Sequence, residues 1–185
     1  MNLIPYFPIY SSMTISEAID FIRPAIPNAA GTWADLGAGD GIFLKALDTL
    51  LPSPSTLYAV DRKTSALEDL KFEKHRLHVL QGDFTQPLSL PSLDGILMAN
   101  ALHFVPQQQE VLLQLVDRLK YGGSLVLAEY DTDQPNPPWM PYPIPKERFA
   151  ELAEAAGLQN FRVVNSRTSR YGHRDIYLAI ADKPF

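Results

Sequence analysis

Two periodicities alternate along this chain of 185 residues. Short apolar runs suited to buried strands end in an acid or an asparagine. Between them lie stretches whose apolar residues recur three and four apart, as on one face of a helix. The clearest case is Thr32-Trp33-Ala34-Asp35-Leu36, read as a strand. Gly37-Ala38-Gly39-Asp40-Gly41 follows, and then Phe43, Leu44, Leu47, Leu50 and Leu51 at helical spacing. Three alternate glycines let the backbone turn sharply and let a ligand approach without meeting a Cβ. The helix beyond them aims free N–H groups at the same place.

Upstream, Thr14 and Glu17 have the spacing of a capping box ahead of the helical face Ile15, Ala18, Ile19, Ile22 and Ile26. Pro24 is expected to bend or end that helix. The segment 1–30 reads either as a packing element or as a lid over a ligand. Downstream, residues 56–60 form a second strand ending at Asp61, 65–74 a helix, and 77–80 a third strand followed by Gly82-Asp83-Phe84. Residues 93–98 form a fourth strand ending near Asn100. Pro106 is expected to open a helix with the stripe Val111, Leu112, Leu115, Val116 and Leu119, closed by Gly122-Gly123. Residues 124–128 form a fifth strand leading into Glu129-Tyr130-Asp131.

Strand and helix thus alternate five times, which predicts an α/β fold with a parallel sheet, helices on both faces and right-handed crossovers. Ligands on such sheets bind at the carboxyl ends of the strands. Those ends carry Asp35, Asp61, Asp83, Asn100 and Asp131. A proline-rich loop over 132–145 then leads to a helix from Pro145, buried through Phe149, Leu152, Ala153 and Ala156 and capped by Gly157. Residues 158–165 and 175–181 read as strands whose short link demands antiparallel pairing.

Composition narrows the function classes. The length suits a single domain, with the core at 31–131 flanked by the N-terminal segment and by a C-terminal helix and strand pair over 146–185. No apolar run is long enough to span a membrane, and Met1-Asn2-Leu3-Ile4-Pro5-Tyr6 has no signal-peptide pattern. The absence of cysteine excludes disulfides and thiolate metal sites and suits a cytoplasmic setting; no metal site is assigned. A net charge of −5 argues against a general nucleic-acid binder. The oligomeric state is not legible.

A carboxylate at the end of the second strand, Asp61, suits the two hydroxyls of a ribose. That alone would fit a nicotinamide cofactor, but three details oppose it. The glycines are spaced G-x-G-x-G rather than G-x-G-x-x-G. Asp35 precedes them, where it would face an amine or cation rather than a pyrophosphate. Asp83 ends the third strand and is followed by Phe84. No G-x-x-x-x-G-K-[ST] phosphate loop is present either.

Taken in order, Ala34-Asp35-Leu36-Gly37-Ala38-Gly39-Asp40-Gly41, Ala59-Val60-Asp61, Gly82-Asp83-Phe84 and the run from Leu93 to Phe104 resemble the motifs of the class I S-adenosylmethionine-dependent methyltransferases. Leu119-Lys120-Tyr121-Gly122-Gly123-Ser124-Leu125 is similar to that family's turn into its fifth strand. The resemblance spans about residues 32–131. It implies a Rossmann-like sheet of order 3-2-1-4-5-7-6 with strand 7 antiparallel, and S-adenosylmethionine as cofactor. It further implies that Asp35 and the Gly37 and Gly39 backbone hold the methionine end. Asp61 would take the ribose, with Arg62 along the adenine. Asp83 would accept from the adenine amine, with Phe84 beside it, and Asn100 would lie near the methyl group. The expected activity is methyl transfer to a nucleophilic atom of a small-molecule acceptor, since no added recognition domain is present. The rivals are a protein or RNA methyltransferase, or a catalytically silent fold that binds the cofactor or a partner.

If the acceptor must lose a proton, His103 and Tyr130 are the candidate bases, since imidazole titrates near neutrality. Each of these assignments has a plainer counterpart. Asp83 suits a turn cap, Arg62 a solvated surface, and His103 a packing or hydrogen-bonding role. Trp139, Met140 and Tyr142 could join Tyr130, Tyr6, Phe7 and Tyr10 in an acceptor wall, or merely seal the edge of the core. Asn136-Pro137-Pro138-Trp139 is similar to a motif of amino-group methyltransferases. There the motif directly follows the fourth strand, a place held here by Asn100-Ala101-Leu102-His103, so the match is read as coincidence. Arg162, Arg167, Arg170, His173 and Arg174 form a basic C-terminal group, read mainly as solvated surface.

Overall fold

The computed structural model describes residues 13–169 and 174–185. Seven strands form one sheet. They are β1 (Thr32–Leu36), β2 (Thr56–Asp61), β3 (Arg76–Gln81), β4 (Leu93–Ala99), β5 (Leu119–Tyr130), β6 (Gln159–Thr168) and β7 (Asp175–Asp182), and their order is β3-β2-β1-β4-β5-β7-β6. The first five run parallel, and β7 pairs antiparallel with both β5 and β6. This is the strand order and direction expected from the motifs and from the short terminal link.

Each face of the sheet has its own core. Helices α1 (Ile15–Ile22) and α2 (Ile42–Leu50) cover one face, burying Ala18, Phe21, Ile22, Leu44 and Leu47 against Trp33, Leu57 and Leu97. Helices α3 (Gln108–Val116) and α4 (Lys146–Ala155) cover the other, burying Leu112, Leu115, Phe149 and Leu152 against Ile96 and Leu127. The α1 cap forms as its spacing predicts: Thr14 Oγ1 accepts from Glu17 N–H at 3.2 Å, and Glu17 Oε2 accepts from Thr14 N–H at 2.8 Å. Pro24 ends the α-helix and sits in a 3-10 turn over Arg23–Ala25. No helix among the described residues is long and apolar enough to cross a membrane.

Three local expectations fail for physical reasons. Residues 65–74 form turns, not a helix. Leu67 is fully buried, and Leu70 and Phe72 pack against the same core. On a helix Phe72 would point about 140° away from Leu67 and about 200° from Leu70, so one helical face could not bury all three. No helix lies between β3 and β4 either, so the alternation is not kept five times. Finally, Gly122-Gly123 does not cap α3, which ends at Val116. Leu119 already belongs to β5, opposite Leu93. The two glycines form an irregularity inside β5, with Gly122 at φ +76° and Gly123 where a Cβ would lie 2.9 Å from the Lys120 carbonyl.

Gly95 in β4 makes room for a buried ring of the core. A Cβ there would lie 2.4–2.5 Å from the ring of Trp33, which is itself 1% exposed. Gly95→Ala is therefore expected to cost about 3 kcal/mol or more by overpacking. The check is the midpoint of denaturant unfolding, lowered at unchanged slope.

Candidate cofactor and acceptor site

The glycine turn follows β1 with Gly37, Gly39 and Gly41 at φ +77°, +56° and +77°, a region costly for residues with a Cβ. Its position is set from the neighbouring strand. Gly37 and Ala38 N–H both donate to the Val60 carbonyl, at 2.8 and 3.1 Å. A Cβ on Gly37 would meet the Ala101 methyl at 2.7 Å, so this turn and the turn after β4 are in direct contact.

Asp61, at the end of β2, reaches across to the same turn. Its Oδ2 accepts from Gly39 N–H and its Oδ1 from Lys63 N–H, each at 2.9 Å. A cleft beside these groups is lined by Gly37, Asp61, Arg62, Asp83, Phe84 and Asn100. It brings together six of the ten residues expected at the site. Asp83 is also a turn cap, as its plainer reading proposed: Oδ1 accepts from Thr85 N–H at 2.9 Å and from Thr85 Oγ1 at 2.7 Å. Those two bonds hold its carboxyl below the usual carboxylate range, with burial opposing and Arg62 assisting. Gly82, next to Asp83, also lines it. Ala101, Thr85, Phe104 and Val105 complete the lining. Sequence reasoning did not single them out as ligand contacts, because three are plain apolar residues and the fourth sits in a turn.

Asp35 lies deeper, 2% exposed, and its Oδ2 meets no hydrogen-bond partner among the described residues. Burial first, and then the charges of Asp61 and Asp40, push its carboxyl up to about 7. A buried carboxylate without a counter-charge, set beside a glycine turn, is a receptor for a cation or an amine. Asn100, at φ +51°, likewise has a buried Oδ1 without a partner. The site thus offers two free acceptor oxygens, a carboxylate poised for a diol, and a turn with glycine at 37, 39 and 41. This set fits an amino-acid-bearing nucleoside, and among the described residues no group of His, Asp and Glu is placed to hold a metal.

His103 does not line the cleft. It is 2% exposed, with Nδ1 2.5 Å from Glu129 Oε2 and its ring tilted 4.3 Å from Phe104 and 6.5 Å from Tyr130. Glu129 is the residue the sequence reading passed over. Tyr130 is half-buried at the end of β5.

The proline-rich loop is tied down beside this turn. Tyr142 N–H donates to the His103 carbonyl at 3.0 Å, Gln108 Nε2 to the Tyr142 carbonyl at 2.9 Å, and Lys146 Nζ to Asp131 Oδ2 at 2.7 Å. Met140 is buried, while Trp139 and Tyr142 are exposed. Asn136 lies in an exposed, self-closed turn whose N–H and carbonyl both pair with Met140. Tyr6, Phe7, Tyr10, Arg170 and His173 lie outside the described residues. Of the other basic residues, Arg162 pairs with Asp182 and Arg167 approaches Glu17.

Comparison with known proteins agrees with the geometry. The methyltransferase-domain family matches residues 34–127. Among curated proteins no relative matches the sequence. The fold is similar to that of YcgJ from Bacillus subtilis, at 13% identity and TM-score 0.70, covering 92% of this chain and 99% of that one. It is also similar to a Burkholderia thailandensis 1,6-didemethyltoxoflavin-N1-methyltransferase solved with its substrate and S-adenosylhomocysteine, at 18% identity and TM-score 0.69, covering 92% and 78%. A third likeness is to phosphoethanolamine N-methyltransferase 2 of Haemonchus contortus in complex with S-adenosylmethionine, at 13% identity and TM-score 0.70, covering 92% and 53%. The strand order, the acid-and-glycine turn and the family match over residues 34–127 agree: this chain belongs to the class I S-adenosylmethionine-dependent methyltransferase family.

Proposed function

We propose that the protein methylates a nucleophilic atom of a small-molecule acceptor, using the cleft at the ends of β1, β2 and β4 for its cofactor. The observation that carries this reading is Asp35, a buried carboxylate with an unpartnered oxygen behind a left-handed glycine turn. In this reading Asp35 and Asn100 accept from the amino-acid end, Asp61 from the ribose hydroxyls, and Asp83 from the adenine amine. Arg62, Phe84 and Phe104 flank the base. Bound S-adenosylmethionine supplies a methyl carbon already activated for in-line displacement. The chain's share is alignment and the exclusion of water, which can supply about 7–11 kcal/mol when the geometry is good.

Tyr130 is the group assigned to receive a proton where the acceptor must lose one; His103, buried against Glu129, does not line the cleft. The acceptor wall is assigned to Tyr130, Trp139 and Tyr142. A small molecule is favoured because Arg162 and Arg167 already face carboxylates of their own chain, which leaves less free positive charge for an RNA. The Burkholderia neighbour, solved with a small-molecule substrate, has the same fold.

The test is calorimetric titration with S-adenosylmethionine and S-adenosylhomocysteine, followed by a labelled-methyl assay against fractionated small molecules, proteins and RNA. Binding of both ligands, with label in the small-molecule fraction, is the expected result. A folded protein that binds neither would overturn the reading, and label confined to protein or RNA would replace its acceptor class.

A further inference from the structure

Glu129 is 0% exposed, yet it carries a carboxylate into the interior at the end of β5. Among the described residues, the three hydrogen-bond contacts of that carboxylate all go to one turn. Oε1 accepts from Leu102 N–H at 3.1 Å and from His103 N–H at 3.2 Å, and Oε2 faces His103 Nδ1 at 2.5 Å. Taking such a charge out of water is costly, and an apolar pair of similar volume commonly serves stability as well or better. What the ionic arrangement adds is direction: three contacts fix one backbone conformation.

That turn shapes the cleft. Its first residue, Asn100, sits in the left-handed region with Oδ1 unpartnered. Ala101 lies directly beneath Gly37. Phe104 and Val105 line the cleft, while His103, just before them, is turned inward to Glu129. Leu102–Phe104 is a single 3-10 turn, and its starting residue has no side-chain cap of its own. The two N–H groups that its own residues leave free are those that Glu129 takes up.

We propose that Glu129 is a positioning residue for cofactor binding. Acting through the Leu102 and His103 N–H groups and the His103 ring, it holds the turn over 100–105 in the conformation that sets Asn100, Ala101 and Phe104 into the cleft. The proposal rests on the reading of that cleft as the S-adenosylmethionine site.

The experiment is calorimetric titration of the full chain with S-adenosylhomocysteine, with thermal unfolding run in parallel. The proteins are wild type, Glu129→Gln, His103→Leu and the double variant. Glu129→Gln keeps one acceptor oxygen but loses the charge and one of the two clamping atoms, and is expected to bind about tenfold more weakly. His103→Leu leaves the buried carboxylate without its ring partner and is expected to bind more weakly still. The double variant removes that stranded charge and should recover part of the affinity lost by His103→Leu. A role confined to stability would lower the unfolding temperature of all three and leave their affinities at the wild-type value, and that result overturns the proposal. If Glu129→Gln does not fold, Glu129→Asp decides the matter. It keeps the charge but draws it back by one methylene, so wild-type affinity there also overturns the proposal. Wild type that binds while the variants are unaffected sinks this inference alone. Wild type that does not bind sinks the cofactor reading and this inference together.

Discussion

Asp61→Ala is expected to lower the affinity for S-adenosylhomocysteine at least about a hundredfold while the protein stays folded. Asp61 ends β2 half-exposed, and each of its oxygens is already held by one backbone N–H, from Gly39 and from Lys63. Each oxygen retains a free lone pair, and together they can accept from two vicinal hydroxyls without moving. Hydrogen bonds to a charged group contribute about 1.5–3 kcal/mol each, and about 1.4 kcal/mol is a factor of ten in affinity. Two such bonds carry the expected loss, and release of Gly39 from its acceptor adds to it. Asp61→Asn, which keeps one acceptor oxygen, should fall between the two. Calorimetry on the three proteins checks the series; affinity within threefold of wild type in Asp61→Ala would remove the ribose role.

Asp35→Asn should have the opposite effects on stability and on binding. Burial holds the Asp35 carboxyl at about 7 in the folded protein against an ordinary 3.8, so the folded state keeps a proton that the unfolded chain gives up. Stability from this group is therefore complete below pH 3.8 and is lost as pH rises through about 7. Above that the penalty is on the order of 4 kcal/mol. The asparagine variant has no such proton to lose. It should match wild type at acidic pH and unfold roughly 10 °C higher at pH 8, given about 2–4 °C per kcal/mol for a chain of this size. In the proposed reading, by contrast, the cofactor's amino group needs the anion. Wild-type affinity should rise with pH through about 7, while Asp35→Asn binds weakly and without that rise. Thermal scans and titrations at pH 5.5 and 8 measure both. An unfolding temperature that does not rise at pH 8 would show that the buried carboxylate carries no penalty. In the proposed reading, the stability given up at Asp35 is the cost of a binding site prepared in advance.

The acids and the asparagine of the candidate site were legible because polar residues at the ends of apolar strands have few structural excuses. Asp35, Asp61, Asp83 and Asn100 each interrupt an apolar run at the same end of a parallel sheet. Glu129 was hidden by the same logic. It follows Leu125-Val126-Leu127-Ala128 and reads as one more strand end, and its partner His103 lies 26 residues earlier, across a strand boundary that spacing does not cross. The Ser65–Lys74 misreading had a different source: Leu67 and Leu70 alone suit a helix, and only the burial of Phe72 beside them forbids it. Gly95 was passed over because a lone glycine in a strand says nothing about the ring it makes room for.

The contact between Gly37 and Ala101 has a consequence for how this chain can change over time. Any side chain at position 37 would meet the Ala101 methyl at 2.7 Å and would also have to adopt a left-handed backbone. No single replacement at 37 escapes both conditions, and shrinking position 101 first would relieve only one. The pair therefore resists stepwise drift, whereas Phe104, on the same turn and 45% exposed, has open space around it. Mutational libraries meant to alter ligand preference should leave 37 and 101 untouched and draw their variety from 104 and from Trp139 and Tyr142 in the proline-rich loop.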